Sequence, residues 1–394
     1  MNTQDLLKYF VPVSLKDIAF EASEGYECWG DKMTVNTADN PLTEIDADVK
    51  MAFIGVKEDR ASVKNKGCAY NPNEVRRFFY QLMPQSADLK IIDLGDLKLG
   101  NQLTDTYFAL GEVMAYLLQR KIIPIVVGGS NDLAIGMYRG YVNISQIINL
   151  LALDAKFDLI SDEDPTTDEN FLHEILCSEP NYLFDYTHVA YQTYFVDSKA
   201  LELLDDLRFE RFRLGQIQDN LGRCEPLVRD ADMLIVDMNC VRASDAPSSS
   251  SPHGLYGEEL CKIVNYAGMS DKLTSIGFFG NNVLEDLQGR TSQIIAHAIY
   301  YFIEGYLWRK NDFPYENSND YLVFKVLMPD FENEVVFYKS RKSDRWWIQV
   351  PCTDVMKQKY IRHYIVPCLY EDYEQAGKGH LPNRWFIAYN KLNL

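Results

Sequence analysis

Three segments of the chain each end an apolar run in polar or charged residues: Gly128-Gly129-Ser130-Asn131-Asp132, Asp154-Ala155-Lys156-Phe157-Asp158 and Asp237-Met238-Asn239. In the second, two carboxylates and an ammonium group fall within five residues, so they share one crevice if the run before them is a strand. Carboxylates gathered in this way bind cations or move protons. Asp237, at the end of a third run, brings another acid group. The paired glycines of the first segment permit a tight turn into a helix beginning near Leu133. Asn131 or Asp132 then also reads as an ordinary helix cap.

Strand-length apolar runs and helical periodicities must position these groups. The strands are read at Met51–Val56, Lys90–Leu94, Ile122–Val127, Ile148–Leu153, Tyr191–Phe195, Met233–Asp237 and Leu273–Phe279. Between them, apolar residues recur at three- and four-residue steps over Asn73–Leu82, Asp105–Arg120, Leu133–Arg139, Ser198–Leu204, Glu258–Gly268 and Thr291–Arg309. Strands apolar on both faces, alternating with helices, predict a mostly parallel sheet covered on each side. In such a sheet the site lies at the carboxyl ends of the strands, where all three segments fall.

Composition narrows the function classes. With 47% apolar and 24% charged residues over 394 positions, the chain is neither disordered nor a disulfide scaffold, and it can bury a core without a metal staple. Its formal charge of −18 excludes the electrostatic footprint of a nucleic-acid binder. No run reaches the ~18 apolar residues of a bilayer span, which predicts a cytoplasmic protein without direct membrane insertion. The eight cysteines form no Cys-x-x-Cys pair and read as reduced, mostly buried thiols.

The order and spacing of the three segments resemble the ureohydrolase superfamily of arginase, agmatinase and formimidoylglutamase, with formimidoylglutamase closest. The resemblance covers roughly residues 50 to 310. Further frames carry it: Gly55-Val56 with Pro72 and Arg76, the run Arg242-Ala243-Ser244-Asp245-Ala246-Pro247 leading through Pro252-His253 to Gly254-Leu255, and Gly289-Arg290-Thr291. The resemblance implies a three-layer α/β/α, arginase-like fold and a binuclear manganese centre that hydrolyses a C–N bond. In the family, Gly-Gly-Asp-His, Asp-Ala-His-x-Asp and Asp-x-Asp segments supply the six ligands. Matched motif to motif, Asp154, Asp158 and Asp237 are retained. Asn131 and Lys156 replace the two histidines, and Asn239 replaces the last aspartate.

A carboxamide is a poor manganese donor and an ammonium group is none. The expectation is therefore that no metal is bound and that the Lys156 ammonium takes its place, held by Asp154, Asp158 and Asp237. Gly280 stands where the family carries a substrate-holding glutamate. His253, in a loop at the crevice mouth, is the histidine placed to act there, whereas His297 on the apolar face of a long helix reads as core. These losses predict a catalytically degenerate, structural or protein-interaction component, in short a pseudoenzyme. The alternatives are a formimidoylglutamase-like hydrolase of a linear amidine with manganese on Asp154, Asp158 and Asp237, and a crevice that binds a small molecule without converting it.

A boundary is read near Asn311, dividing an α/β domain, 1–311, from an extension, 312–394. The first part carries 46 acidic against 28 basic residues and the extension 11 of each, so the whole charge excess belongs to the first. The extension holds 16 aromatic residues in 83 and three of five tryptophans. Strands over Tyr321–Leu327, Glu334–Tyr338 and Trp346–Val350 and a helix from Thr353 to about Tyr364 predict a small α+β unit. Trp346, Trp347, Tyr360, Tyr364, Trp385 and Phe386 exceed what so small a core needs, so some are expected on the main domain or on a protein partner. The resemblance also implies a homo-oligomer.

Overall fold

The computed structural model describes residues 1–18, 20, 25–159, 165–314, 319–327 and 334–393. Part of the turn expected at the domain boundary, 315–318, lies outside the described residues. The main sheet has ten strands: β1 Phe10–Val11, β2 Thr34–Val35, β3 Met51–Val56, β4 Ile91–Leu97, β5 Ile123–Gly128, β6 Ile148–Leu153, β7 Leu183–Tyr191, β8 Glu210–Arg213, β9 Met233–Asp237 and β10 Ser275–Phe279. They lie in the order β1-β4-β3-β5-β10-β9-β6-β7-β8, with β2 beside β4. All neighbours are parallel except β1 with β4.

Because successive side chains of a strand point to opposite faces, each central strand feeds two cores. Met51 and Phe53 of β3, Leu151 and Leu153 of β6, and Leu234 and Val236 of β9 join one core with the helices Asn71–Phe79, Gly257–Gly268 and Arg290–Leu307. Ala52, Ile54, Leu150, Ala152, Met233 and Ile235 join the other, with the helices Leu103–Gln119 and Ala134–Asn143. The result is the three-layer arrangement that the alternating pattern predicts. A buried ion cluster anchors one helix layer: Arg76 donates to Asp93 at 2.8 and 3.0 Å and to Asp96 at 2.5 Å.

The chain after the last helix forms a second, antiparallel sheet from β11 Tyr321–Val326, β12 Val335–Ser340, β13 Trp346–Gln349 and β14 Ile365–Cys368, in that order. It docks at the amino ends of the main strands. Arg362 Nη2 donates to Asp232, just before β9, at 2.6 Å, and to the Lys272 carbonyl, before β10, at 2.9 Å. His363 Nε2 lies 3.2 Å from the Ile147 carbonyl, before β6. Arg229 stacks over Trp347, 4.4 Å from its ring centre.

Several expectations are corrected. The strand read at Tyr191–Phe195 is the end of β7 followed by a short 3₁₀ turn; Asp185, Thr187 and His188 break the apolar run that would have marked its true start. The helix read from Thr353 to Tyr364 spans only Asp354–Lys359, and β14 follows it. β14 contains Pro367, which a strand tolerates here because β14 is the sheet edge. Of the aromatics singled out in the extension, Trp346, Trp347, Tyr364 and Trp385 are buried, Trp347 and Tyr360 also meet Arg229 and Phe184 of the main domain, and Phe386 is exposed. His297 is exposed rather than in the core. No helix among the described residues is long and apolar enough to cross a membrane.

Candidate functional site

The carboxyl ends of β5, β10, β9 and β6 are adjacent, so the segments that follow them meet. They line a cavity of about 140 Å³ that includes Asn131, Asp154, Lys156, Asp158, Asp237, Asn239 and Gly280. All seven positions matched to the family motifs are thus brought together. The three aspartates are only 5%, 6% and 5% exposed. Asn131 donates from Nδ2 to Asp158 at 3.4 Å and, more closely, to Asp237. The backbone amides of Asn239 and Lys156 donate to Asp237 at 2.5 Å and to Asp154 at 3.3 Å. Asp158 sits at a positive φ of 46°, which turns the chain sharply after the strand.

Burial drives the electrostatics. It pushes the carboxyls of Asp154 and Asp237 well above the usual carboxylate range, with repulsion from Asp158 and Asp154 respectively adding to it. Asp158 is pushed up to about 7, again by burial first and then by Asp237. Carboxylates buried together without a counter-charge hold protons near neutrality or attract a cation.

The lysine does not supply that cation by direct contact, which corrects the expected arrangement. Lys156 Nζ is not within 4.0 Å of Asp154, Asp158 or Asp237; it lies 3.7 Å from Glu169, which Lys64 also approaches at 3.2 Å. The long side chain leaves the strand end and keeps its ammonium partly hydrated at the cavity mouth. Burial pulls that ammonium down, but Asp158, Glu169, Asp154 and Asp237 together outweigh it and raise its pKa.

Gly280 is fixed by geometry. Its φ is +78°, and a Cβ there would stand 2.9 Å from both carboxylate oxygens of Asp237, so a glutamate does not fit on this backbone. His253 is not in the carboxylate cavity; its loop lines a neighbouring one. Sequence reasoning missed Glu169, Lys64 and Glu285 on the cavity wall, which sit in segments without strand or helix periodicity. It also missed His188. This buried histidine, held neutral with its pKa near 3 by burial, bridges Tyr186 Oη at 2.7 Å and the Asp154 carbonyl at 3.0 Å, fixing the backbone beneath the site.

These groups do not fit a two-ion manganese centre. Asn131 turns donors rather than a lone pair toward the carboxylates, and Lys156 brings positive charge. Among the described residues no three His, Cys, Asp or Glu side chains gather as a metal-binding group.

Residues 49–304 match the Arginase family. The formimidoylglutamase of Staphylococcus haemolyticus is 26% identical over 273 residues, covering 64% of this chain and 85% of that protein. That of Lysinibacillus sphaericus is 27% identical over 269 residues, covering 63% and 82%. In fold, the chain is similar to the formimidoylglutamase of Bacillus subtilis, with a TM-score of 0.64, 18% identity and coverage of 74% of this chain and 95% of that one. A Trypanosoma cruzi formiminoglutamase solved with manganese gives a TM-score of 0.61 at 19% identity, covering 68% and 96%. The expectation of a non-enzymatic component does not survive these findings. The family match spans residues 49–304, strands β3 to β10 with their helices, and the relatives bear the name of an enzyme, so the losses at single ligand positions do not define the chain.

Proposed function

Because the chain belongs to the Arginase family, we propose that it is a hydrolase of a linear amidine C–N bond, of the formimidoylglutamase kind. The observation that carries this reading is the meeting of Asp154, Asp158 and Asp237 in one cavity with no cationic side chain in ion-pair contact among the described residues. An amidinium group is planar, cationic and rich in N–H donors, and so meets both the charge and the hydrogen-bonding capacity of three buried carboxyls. Water adding to the amidine carbon must lose a proton, and the departing nitrogen must gain one. Carboxyls raised toward neutrality suit both tasks, one accepting from water and one donating to the leaving group.

The Trypanosoma cruzi formiminoglutamase was solved with manganese. Here the imidazole donors are replaced, so no step is assigned to an ion; Asp154, Asp158 and Asp237 are the groups any divalent ion would use. The test is hydrolysis of N-formimidoyl-L-glutamate by the purified protein, read as product release with and without added manganese. Turnover is expected in at least one condition and is expected to vanish in Asp237→Asn. Absence of turnover in both, while a related formimidoylglutamase is active in the same assay, overturns the reading.

A further inference from the structure

His253 and its loop border a second cavity, of about 440 Å³, whose lining includes Arg213, Arg242, Gln218, Tyr194 and Tyr256 and no carboxylate residue. In a chain of net charge −18 this cavity is lined by two guanidinium groups, of which Arg213 has no acidic partner among the described residues and Arg242 is paired with Asp245. Both arginines are held from behind. Arg213 donates through Nε to Tyr191 Oη at 3.2 Å, and Arg242 donates through Nε to Asp245 at 2.9 Å while its guanidinium stacks 3.7 Å from the Tyr256 ring centre. The terminal nitrogens of both bond no described residue. A guanidinium fixed through Nε with its terminal fork free is preorganised for two parallel bonds to an oxyanion.

The nearby acids are already engaged. Asp245 is taken up by Arg242 and by the Gly257 amide at 3.1 Å, and Glu259 by the Tyr256 amide at 2.9 Å and by Gln218 at 3.2 Å. The cavity also touches the carboxylate site through one residue. Gln192 lines it, donates from Nε2 to the His253 carbonyl at 2.9 Å, and donates from its backbone to the carbonyl of Ala155, next to Asp154, at 3.0 Å.

We propose that this cavity is a binding site for a small molecule bearing a phosphate or carboxylate group, gripped by the forks of Arg213 and Arg242 between the Tyr194 and Tyr256 rings. The site is distinct from the carboxylate cavity, with which it shares no lining residue, so its test does not depend on the hydrolysis proposed above. Isothermal titration of the full chain with inorganic phosphate and, separately, with succinate tests it. Saturable binding of at least one anion is expected; phosphate alone or succinate alone identifies which group the site takes. The double variant Arg213→Gln, Arg242→Gln is expected to weaken that binding by about tenfold or more, and the double Lys variant by less, since it keeps the charge but loses the fork. Should the double Gln variant misfold, Arg213→Gln alone, on an exposed side chain, carries the same expectation. No saturable binding of either anion to the unaltered chain, or equal binding by the folded Gln variant, overturns the proposal.

Discussion

At the amino ends of β6, β9 and β10, Asp232 is buried completely yet remains charged. Arg362 reaches it at 2.6 and 3.1 Å, the Asn149 amide at 2.9 Å, and Lys272 Nζ at 3.8 Å. Burial pushes its carboxyl up, but Arg362 and Lys272 outweigh burial and bring it below the usual range. At the carboxyl ends of the same strands Asp154, Asp158 and Asp237 are buried almost as deeply, no cationic side chain among the described residues pairs with them, and all three are raised. One residue type at equal depth therefore does two jobs. Where the second sheet docks, the partners are built into the chain and the group serves cohesion. Where the cavity opens, the missing partner is left for something that binds.

The contrast breaks most readily at the amino end. Asp232→Ala leaves Arg362 and Lys272 facing each other without their shared anion, and a loss of about 3–5 kcal/mol is expected in urea unfolding. A loss under about 1 kcal/mol would mean that the cluster does not hold the second sheet in place.

At the carboxyl end the opposite sign is expected. Asp158 titrates near 7 in the folded chain against an ordinary value of 3.8, so it binds its proton more tightly when folded. Its contribution to stability is present below the lower value and is lost as pH rises through the higher one. Asp158→Asn cannot ionise, and asparagine accepts the positive φ. The variant is therefore expected to be more stable than the unaltered chain by up to about 4 kcal/mol at alkaline pH and to lose that advantage in acid. Unfolding curves on both sides of neutrality check it; a difference independent of pH would refute the burial of an uncompensated charge.

The smallest effect belongs to Lys156. If its ammonium stood among the three aspartates, Lys156→Met would cost several kcal/mol. With its head partly hydrated and 3.7 Å from Glu169, a change of about 1 kcal/mol or less is expected in the same denaturation assay.

Much of the fold was legible because it is written in local patterns. β3, β6 and β9 begin and end where their mainly apolar runs do, since a strand buried on both faces is built largely of apolar residues. β7 was misplaced because Asp185 reaches outward to Lys391 in the second sheet's unit and His188 inward to Tyr186, contacts that no run of neighbours reveals. The motif residues around the cavity were legible for the same reason: each follows a strand directly. Glu169 and Lys64 were not, because they lie in irregular segments.

What the residues decided by themselves is which chemistry arrives at the carboxyl ends of the strands: three carboxyls, two carboxamides, a lysine and a glycine in fixed order. What the tertiary structure decided is which charge meets which. Lys156 sits two residues from Asp154 in the chain, yet its side chain faces Glu169, whereas Arg362 meets Asp232 across 130 residues. Proximity along a strand sets only the direction of the backbone. The partner of a buried charge is chosen by the free-energy cost of leaving water, and that cost is settled only when distant segments have packed.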